Sequence, residues 1–443
     1  MVDTCKYRYK SYPKEFKCNE KVFKNGHCIF HVELPKDEES IEFKEINEKK
    51  EEEVQKKIKK KDFNFIGAKL IEINFHDSIK RNVDLRDAEI SRNADFSNAK
   101  INGDAKFRDV KIKRDAKFRD TEIDGNVSFY DAEIGRDADF RDAKISKFAI
   151  FNHAEIGGLA DFSNAEIGGS VNFSDAEIGI DTSFSNADIK GYTDFSDTEI
   201  SGDVSFYNVE IGGYASLCDA KIGGNVSFYS AKIDGNADFN NAKIGRNIST
   251  RDVKFKKILN FENVECDDQS SVEELCRIAK KIHENRGNKD KADYYFYHEM
   301  VAMRKQKYLK FSFNSVLKFF ESKFKKLTND NFFKKFLKKK RIVYMGFLEL
   351  PLQYCFGYGV HPWRVMGTWI TVMLIFTGIY LTQTWDYSQI LNVSYSSVVT
   401  AITPGFGKYK PDGWYQIAAS AEAIIGTFLW ATFIATFSRK YMR

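Results

Sequence analysis

The fold of this chain is decided by a stretch that begins at Ala94. Residues 94–115 read ADFSNAKINGD and then AKFRDVKIKRD, two units of eleven residues that share one apolar pattern. Aromatic residues keep this period, with one leucine, at Phe96, Phe107, Phe118, Phe129, Phe140, Phe151, Phe162, Phe173, Phe184, Phe195, Phe206, Leu217, Phe228 and Phe239. Isoleucine keeps the same period from Ile101 to Ile244. This region is therefore a repeat array.

Helices and strands both have to be considered, because a period of eleven also occurs in right-handed coiled coils. The apolar residues lie at offsets 0, 2, 5 and 7 of the unit. At about 100° per residue these offsets scatter around a helix instead of forming one stripe. Recurrent glycines such as Gly103, Gly125 and Gly135 also disfavour a long helix. The offsets predict short strands that turn a corner every five residues, and residues 63–90 keep a pure step of five.

Over roughly residues 63–255 this pattern resembles the pentapeptide-repeat family. The resemblance implies a quadrilateral right-handed β-helix with a small and a large residue pointing inward on each face. The sequence departs from the usual A-[DN]-L-x-x by an extra residue on alternate faces and by Phe and Ile in place of Leu. Two units would close one coil, and about nine coils at ~4.8 Å strand spacing give a rod ~43 Å long. We assign residues 63–265 to this domain.

The outer positions of the repeat array mix acidic and basic residues without a cluster of catalytic groups. His76 and His153 are isolated and are expected at the surface rather than as ligands. We therefore expect a scaffold, spacer or sensor and no enzyme activity. The chain has 68 basic and 63 acidic residues and a net charge of +5, which favours neither a nucleic-acid mimic nor a strongly basic nucleic-acid binder.

Residues 1–35 form a candidate zinc-binding lobe. They contain the pattern Cys5–x12–Cys18–x9–Cys28–x2–His31, with His27 as a spare imidazole. Three thiolates and one imidazole are a closed ligand set of the kind that structural Zn²⁺ prefers. The alternative is a set of free cysteines in a small basic lobe. No apolar signal-peptide core is visible in residues 1–31, so we expect this part to be cytoplasmic, with reduced thiols.

Two charged or helical segments flank the repeats. Residues 36–62, with a charge run over 48–61, are predicted to be an exposed helix or linker. Residues 266–360 are predicted to be a helical connector that starts at Ser270 or Ser271 and breaks at 286–288. Its tyrosines are expected to pack rather than to stack on a nucleotide: Tyr294, Tyr295 and Tyr297. A basic run at 334–341 and the apolar stretch 344–356 suit a helix at the cytoplasmic membrane surface.

Residues 361–443 have the composition of a membrane domain. Residues 365–382 and 415–437 are apolar stretches long enough to cross a bilayer. Trp363, Trp385 and Trp414 stand near their ends, as interfacial anchors do. Basic residues precede the first span and follow the second, which predicts cytoplasmic termini and an outer segment at 383–414. We expect a multi-pass protein of a prokaryotic plasma membrane.

The outer segment contains Thr403-Pro404-Gly405-Phe406-Gly407, preceded by a predicted short re-entrant helix over 394–402. This looks like the potassium-channel signature T-x-G-[YF]-G, and residues 357–443 resemble the two-helix P-loop ion channels. The resemblance implies K⁺ in a filter of main-chain carbonyls, with one loop from each of four chains. The string Gly357-Tyr358-Gly359 precedes the first span without a pore helix, so we interpret it as a turn.

Four residues around this pore unit stand out. Pro404 replaces the usual Val or Ile, and Lys408 stands where Asp commonly follows the filter. Glu422 is an acid inside the second span and is expected to brace the filter, together with Lys408. Gly426 is either a bend of the inner helix or a site of close packing.

Two functions follow from the sequence. The first is a tetrameric cation channel of the potassium-channel type whose cytoplasmic β-helix regulates gating or assembly, with an unidentified cytoplasmic partner or ligand. The alternative is a membrane-anchored scaffold with a degenerate or non-selective pore, whose β-helix binds a protein partner. A nucleic-acid partner is expected for neither.

Overall fold

The computed structural model describes residues 4–10, 15–308, 352–384, 388, 390–402 and 412–441. It divides into two compact units, Met1–Arg286 and Gly287–Arg443, and each is considered by itself.

The first unit is dominated by a β-solenoid that runs from β3 (Lys69–Leu70) to β39 (Glu265–Cys266), in which every strand has two residues. One coil consists of β8 (Ala94–Asp95), β9 (Lys100–Ile101), β10 (Ala105–Lys106) and β11 (Lys111–Ile112). Each of the four joins a different parallel sheet, and the sheets have nine or ten strands. Ala94 pairs with Ala116, which stands at the same position two repeat units later. The predicted β-strands, the coil of two units and about nine turns are confirmed.

The first coil is shorter than the others. Lys69 of β3 pairs with Glu89, two residues short of the regular spacing. Ile73 of β4 (Ile73–Asn74) pairs with Ala94, one residue short of it. The pure five-residue step read from residues 63–90 thus corresponds to a coil without the extra residues. The later pairs keep a constant offset of two repeat units.

The solenoid interior is filled by the periodic apolar residues, as predicted. Phe151 is fully buried, as are the periodic phenylalanines before and after it. Its ring stacks on Phe173, one coil away, with 4.7 Å between centroids, and meets Phe162 edge-on at 5.5 Å. Burying a side chain of this size contributes about 1.5–3 kcal/mol, and edge-on pairs add to it. The repeated phenylalanine is therefore a core residue.

One corner type in the solenoid is made by residues in the left-handed backbone conformation. They recur every eleven residues, two positions after the phenylalanine, with φ between 52° and 61°, and include Asn98, Asp109, Asp131, Asn164 and Asp175. Asp and Asn tolerate this conformation better than other residues with a side chain. At another corner, glycine serves a different purpose: a Cβ on Gly157 would collide with the carbonyl of Gly135 in the preceding coil.

The N-terminal part of this unit contains a small hairpin and one helix. Strands β1 (Arg8–Tyr9) and β2 (Phe16–Lys17) pair antiparallel. Helix α1 (Ile41–Lys59) begins before the charge run, because the Ser40 side chain accepts a hydrogen bond from the Phe43 N–H at 3.2 Å and caps it. The linker is therefore a helix, and Phe43, Ile46 and Lys50 on one of its faces are buried.

The connector contains two helices separated where the sequence predicted a break. Helix α2 (Gln269–Asn285) starts one or two residues before the predicted position, because Asp268 accepts hydrogen bonds from the N–H groups of Ser270 and Ser271 and caps it. Helix α3 (Lys289–Tyr308) follows Gly287, whose φ is +73°. Of the predicted tyrosines, Tyr295 is fully buried, in agreement with a packing role.

The second unit also contains three apolar helices: α4 (Pro362–Thr384), α5 (Ile390–Ile402) and α6 (Trp414–Tyr441). Two segments, Pro362–Gln383 and Trp414–Tyr441, are long and apolar enough to cross a membrane. The predicted short helix is present and begins four residues earlier than expected. Gly357–Gly359 forms a 3-10 turn with positive φ at all three residues, so the interpretation as a turn is confirmed.

Candidate functional sites

The predicted ligands in the N-terminal lobe converge on one point. Cys5, Cys18, Cys28 and His31 are all buried, and their ligand atoms lie within 4.8 Å of one another. The Sγ atoms of Cys18 and Cys28 are 3.8 Å apart, and the Nδ1 atom of His31 lies 3.4 Å from Cys5 Sγ and 3.1 Å from Cys28 Sγ. In a tetrahedron with Zn–S of ~2.3 Å and Zn–N of ~2.0 Å, ligand atoms are separated by about 3.5–3.8 Å. The three separations given above are thus within about 0.4 Å of those in a tetrahedral zinc site.

Short turns position these ligands. Cys5 and Cys18 lie on the two sides of the β1–β2 hairpin, where Cys5 N–H donates to the Glu20 carbonyl at 2.9 Å. Cys28 and His31 share a turn, because the His31 N–H donates to the Cys28 carbonyl at 3.1 Å. The Cys28 N–H also donates to Cys5 Sγ at 3.2 Å. An N–H directed at a sulfur stabilises a thiolate.

The imidazole of His31 is held from its other side. Its Nε2 lies 2.8 Å from the carbonyl oxygen of Ile66, a hydrogen bond that puts the ring proton on Nε2 and leaves the Nδ1 lone pair facing the sulfurs. The ring of Tyr7 stacks on the imidazole with 4.0 Å between centroids, and the Tyr7 hydroxyl donates to Asp87. The ring is thus fixed in the orientation that metal ligation requires.

Burial determines the protonation of this cluster. It raises the pKa of the Cys28 thiol to about 12, raises that of Cys18 and lowers that of His31 to about 4. The imidazole is therefore neutral, as a metal ligand has to be. A divalent cation among the sulfurs would reverse the shifts of the thiols, since it favours thiolate over thiol.

Lys50 was missed by the sequence analysis and lies next to this lobe. Its ammonium is buried and donates to the carbonyls of Val32 at 2.9 Å, Lys69 at 2.6 Å and Phe30 at 3.4 Å. Burial lowers its pKa to about 7. The residue looked like part of a solvated charge run. The available signal was its spacing of four from Ile46, which places it on the buried face of α1.

In the second unit, Glu422 connects the three apolar helices. It lies on α6 and is fully buried. Its carboxylate accepts a hydrogen bond from the Tyr380 hydroxyl of α4 at 2.6 Å and another from the Ser397 hydroxyl of α5. The sequence singled out Glu422 and did not identify either partner, because neither hydroxyl differs from its neighbours in the sequence.

Gly426, the one glycine of α6, lies where α5 and α6 approach each other closely. A Cβ at this position would lie 2.6 Å from Cα and 2.8 Å from Cβ of Ala401, one residue before the end of α5. Ala401 itself is fully buried, beside Val365 and Trp369 of α4 and Leu429 of α6. Helix α6 continues through Gly426. The structure thus assigns this glycine a packing contact, which was one of the two roles considered.

The predicted filter Thr403, Pro404, Gly405, Phe406 and Gly407 lies outside the described residues, as does Lys408. The same is true of the basic run 334–341. The structure describes only the helices on either side of these residues, α5, which ends at Ile402, and α6, which begins at Trp414. Glu422 of α6 contacts α5 through the hydroxyl of Ser397.

Comparisons with known proteins identify the repeats. Residues 96–144 and 151–199 match the family model described as pentapeptide repeats (9 copies). No curated protein matches the chain, and no solved structure does. The chain therefore contains a pentapeptide-repeat domain, in agreement with the sequence resemblance and the β-solenoid.

Proposed function

We propose that the chain is one subunit of a homotetrameric cation channel of the potassium-channel type. The observation that carries this proposal is the position of α5, a helix of 13 residues that contacts both long apolar helices and ends immediately before residues 403–407. About 20 residues are needed to cross a bilayer as a helix. An apolar helix that is buried on one face and falls short of this length suits a re-entrant segment, which is tolerated where the following irregular backbone lines a water-filled path.

The contacts of Glu422 support a positioned pore helix. An acidic side chain in a membrane-spanning helix is unfavourable and marks a functional site by default. Here the carboxylate joins α6 to Ser397 in the middle of α5 and to Tyr380 on α4. It therefore fixes the depth and rotation of the helix that leads into residues 403–407. The C-terminal end of that helix carries the partial negative charge of its dipole, which favours a cation nearby.

The outer faces of the long helices support an oligomer in a bilayer. Leu374, Ile424 and Phe428 are 67, 71 and 61% exposed in the single chain. Apolar faces of this extent require lipid or other subunits. One chain supplies one filter loop, and a ring of carbonyls that replaces the hydration shell of K⁺ needs four.

The ends of the two long helices support the proposed topology. Arg364, at the start of α4, donates to the Tyr297 hydroxyl of α3 at 3.0 Å. Arg439, near the end of α6, forms an ion pair with Asp293 of α3 at 3.3 Å. Both basic ends thus lie beside α3, on the side that the positive-inside rule assigns to the cytoplasm. We place the termini and the pentapeptide-repeat domain there and infer that α3 carries a gating signal to the pore. The right-handed, four-sided form of the solenoid is part of this proposal.

The test is ion flux through the purified full-length protein in liposomes. A potassium gradient and a proton ionophore are supplied, and flux is followed with an internal pH-sensitive dye. We expect flux with the natural sequence and with Gly367→Ala, whose added Cβ would meet nothing within 4 Å. We expect none with Gly405→Asp, because a side chain there would block the carbonyl ring.

Sodium gradients measure selectivity in the same assay. Equal potassium and sodium flux would refute selectivity for potassium but would still support a conducting pore. A stable tetramer without flux would favour the membrane-anchored scaffold, and a monomer in detergent and in liposomes would refute the pore altogether.

A further inference from the structure

The N-terminal lobe lies on the first coil of the β-solenoid. The Lys69 N–H of β3, on the free edge of its sheet, donates to the Phe30 carbonyl of the lobe at 2.8 Å. The Phe30 ring meets Phe65 edge-on with 6.0 Å between centroids, and Phe65 is 2% exposed. The Lys50 ammonium donates a hydrogen bond to the Lys69 carbonyl. An uncovered solenoid end would expose unpaired strand groups and aromatic core to other chains. The lobe therefore caps this end.

The Cys/His cluster is joined directly to this contact surface. His31 points Nδ1 at the sulfurs and Nε2 at the Ile66 carbonyl, three residues before β3. Tyr7, which stacks on His31, reaches Asp87 in the second coil, and Tyr9 donates to Asp109 at 2.6 Å in the third. The segments that carry the cluster are thus also the segments that contact the solenoid.

We propose that Cys5, Cys18, Cys28 and His31 bind one Zn²⁺ ion, and that this ion fastens the N-terminal lobe over the open end of the β-solenoid. Four protein ligands leave no open coordination position, so the site is structural. Loss of the ion uncaps the first coil and leaves the later coils intact, because each coil of a solenoid contacts only its neighbours. This inference concerns the cap alone and is independent of channel activity.

The composition of the lobe explains why a metal is needed. Apart from the ligands, few apolar residues are buried in the described part of the lobe, residues 4–10 and 15–35: Tyr9, Phe30 and Val32. A segment of this size rarely folds on its own hydrophobic core and commonly relies on a metal or a disulfide. Three thiols cannot all pair as disulfides. A site with three sulfurs and one imidazole suits Zn²⁺ better than Mg²⁺ or Ca²⁺, which prefer oxygen. Among the described residues, these four are the one group of His, Cys, Asp or Glu side chains close enough together to hold a metal ion.

Metal binding is tested first. Full-length protein purified in reducing detergent buffer should contain about one zinc per chain by elemental analysis. Replacement by Co²⁺ should give the visible absorption of a tetrahedral thiolate site. Cys18→Ser and His31→Ala should lower the zinc content at least tenfold. Two matched controls should retain it: His27→Ala, the spare imidazole of the same lobe, and Cys266→Ser, a cysteine outside the cluster.

The capping role is tested by hydrogen exchange on the natural protein, which does not depend on a variant that folds. A strong zinc chelator should raise the exchange rate of the Lys69 N–H at least tenfold and leave amides such as that of Phe162 unchanged. Re-addition of Zn²⁺ should restore protection. Zinc-free protein with all four ligands present would overturn the site. Bound zinc whose removal leaves exchange at β3 unchanged would overturn the fastening role.

Discussion

Replacing Gly426 by alanine should displace the helix that leads into the proposed filter. The new Cβ would lie 2.6 and 2.8 Å from two carbons of Ala401, and it would also meet the main-chain oxygen of that residue. Carbon atoms in contact are normally ~3.5–4.0 Å apart, so α5 has to retreat by about 1 Å. Neither side can yield by a rotamer change, because main-chain atoms and alanine Cβ atoms do not move when a side chain changes its rotamer. Overpacking of this kind costs about 1–3 kcal/mol.

The matched control is Gly367→Ala in α4. Its Cβ would meet nothing within 4 Å, and alanine in a helix is favoured over glycine by about 0.5–1 kcal/mol. We therefore expect Gly426→Ala to lower the thermal midpoint of the detergent-solubilised protein and to reduce potassium flux at least tenfold, whereas Gly367→Ala leaves both at or above their natural values. Equal midpoints and equal flux for the two variants would refute the close contact between α5 and α6 and, with it, the positioning of the filter by that contact.

Further predictions concern the solenoid, the buried acid and the cap. Phe151→Ala should destabilise the solenoid by about 3–5 kcal/mol in denaturant unfolding followed by circular dichroism, whereas Phe148→Ala, at a side chain 47% exposed, should change it by less than about 0.5 kcal/mol. Asn164→Ala should cost about 1–2 kcal/mol, because its φ is 60°, and Asn164→Gly should restore most of it; equal stability of both would contradict the corner argument. Glu422→Ala should cost about 2–5 kcal/mol, since it removes the carboxylate that accepts buried hydrogen bonds from the hydroxyls of Ser397 and Tyr380. Burial lowers the pKa of Lys50 from 10.5 to about 7, so unfolding takes up a proton at pH values between these two. The free energy of unfolding should therefore rise with pH from about 7 to 10. Lys50→Met should abolish that slope, and an unchanged slope would show that another group causes it.

The repeat made most of the solenoid predictable. Apolar residues two positions apart, in a pattern that restarts about every five residues, predict short strands wound into a solenoid. The extra residue in each unit of eleven makes the coil 22 residues long. The left-handed corners were not identified, although Asp or Asn at this position of nearly every unit, with His153 and Ser230 as exceptions, was a visible signal for them. The same residues had a second explanation, since acidic residues are also expected on a solvated surface. The backbone requirement and the solvent requirement select the same residues there.

The contacts between segments were harder to foresee than the segments. The spacing of Cys5, Cys18, Cys28 and His31 indicated a ligand set, and the structure brings these residues together. The spacing could not indicate that His31 also donates to the Ile66 carbonyl, because every residue type has a main-chain oxygen that can accept such a hydrogen bond. Lys50 shows the same limit. A lysine among lysines is read as solvated, and only the docking of α1 makes it a buried donor.

The two ends of the solenoid are closed in different ways, and the difference favours a metal at one of them. At the C-terminal end, α2 covers the last coils with the fully or almost fully buried side chains Leu275, Cys276 and Ala279. The Ser271 hydroxyl accepts a hydrogen bond from the Ile248 N–H at 3.1 Å. An amphipathic helix of 17 residues brings enough apolar surface to close that end unaided. The described residues of the N-terminal lobe before α1 form two-residue strands and turns, and no apolar face comparable to that of α2 is found among them. What it has instead, beside the Ile66 carbonyl, is three sulfurs and an imidazole that lie close to one another. A cap with little apolar surface of its own needs another source of folding free energy, and the metal ligation proposed above would supply it where the ligands already converge.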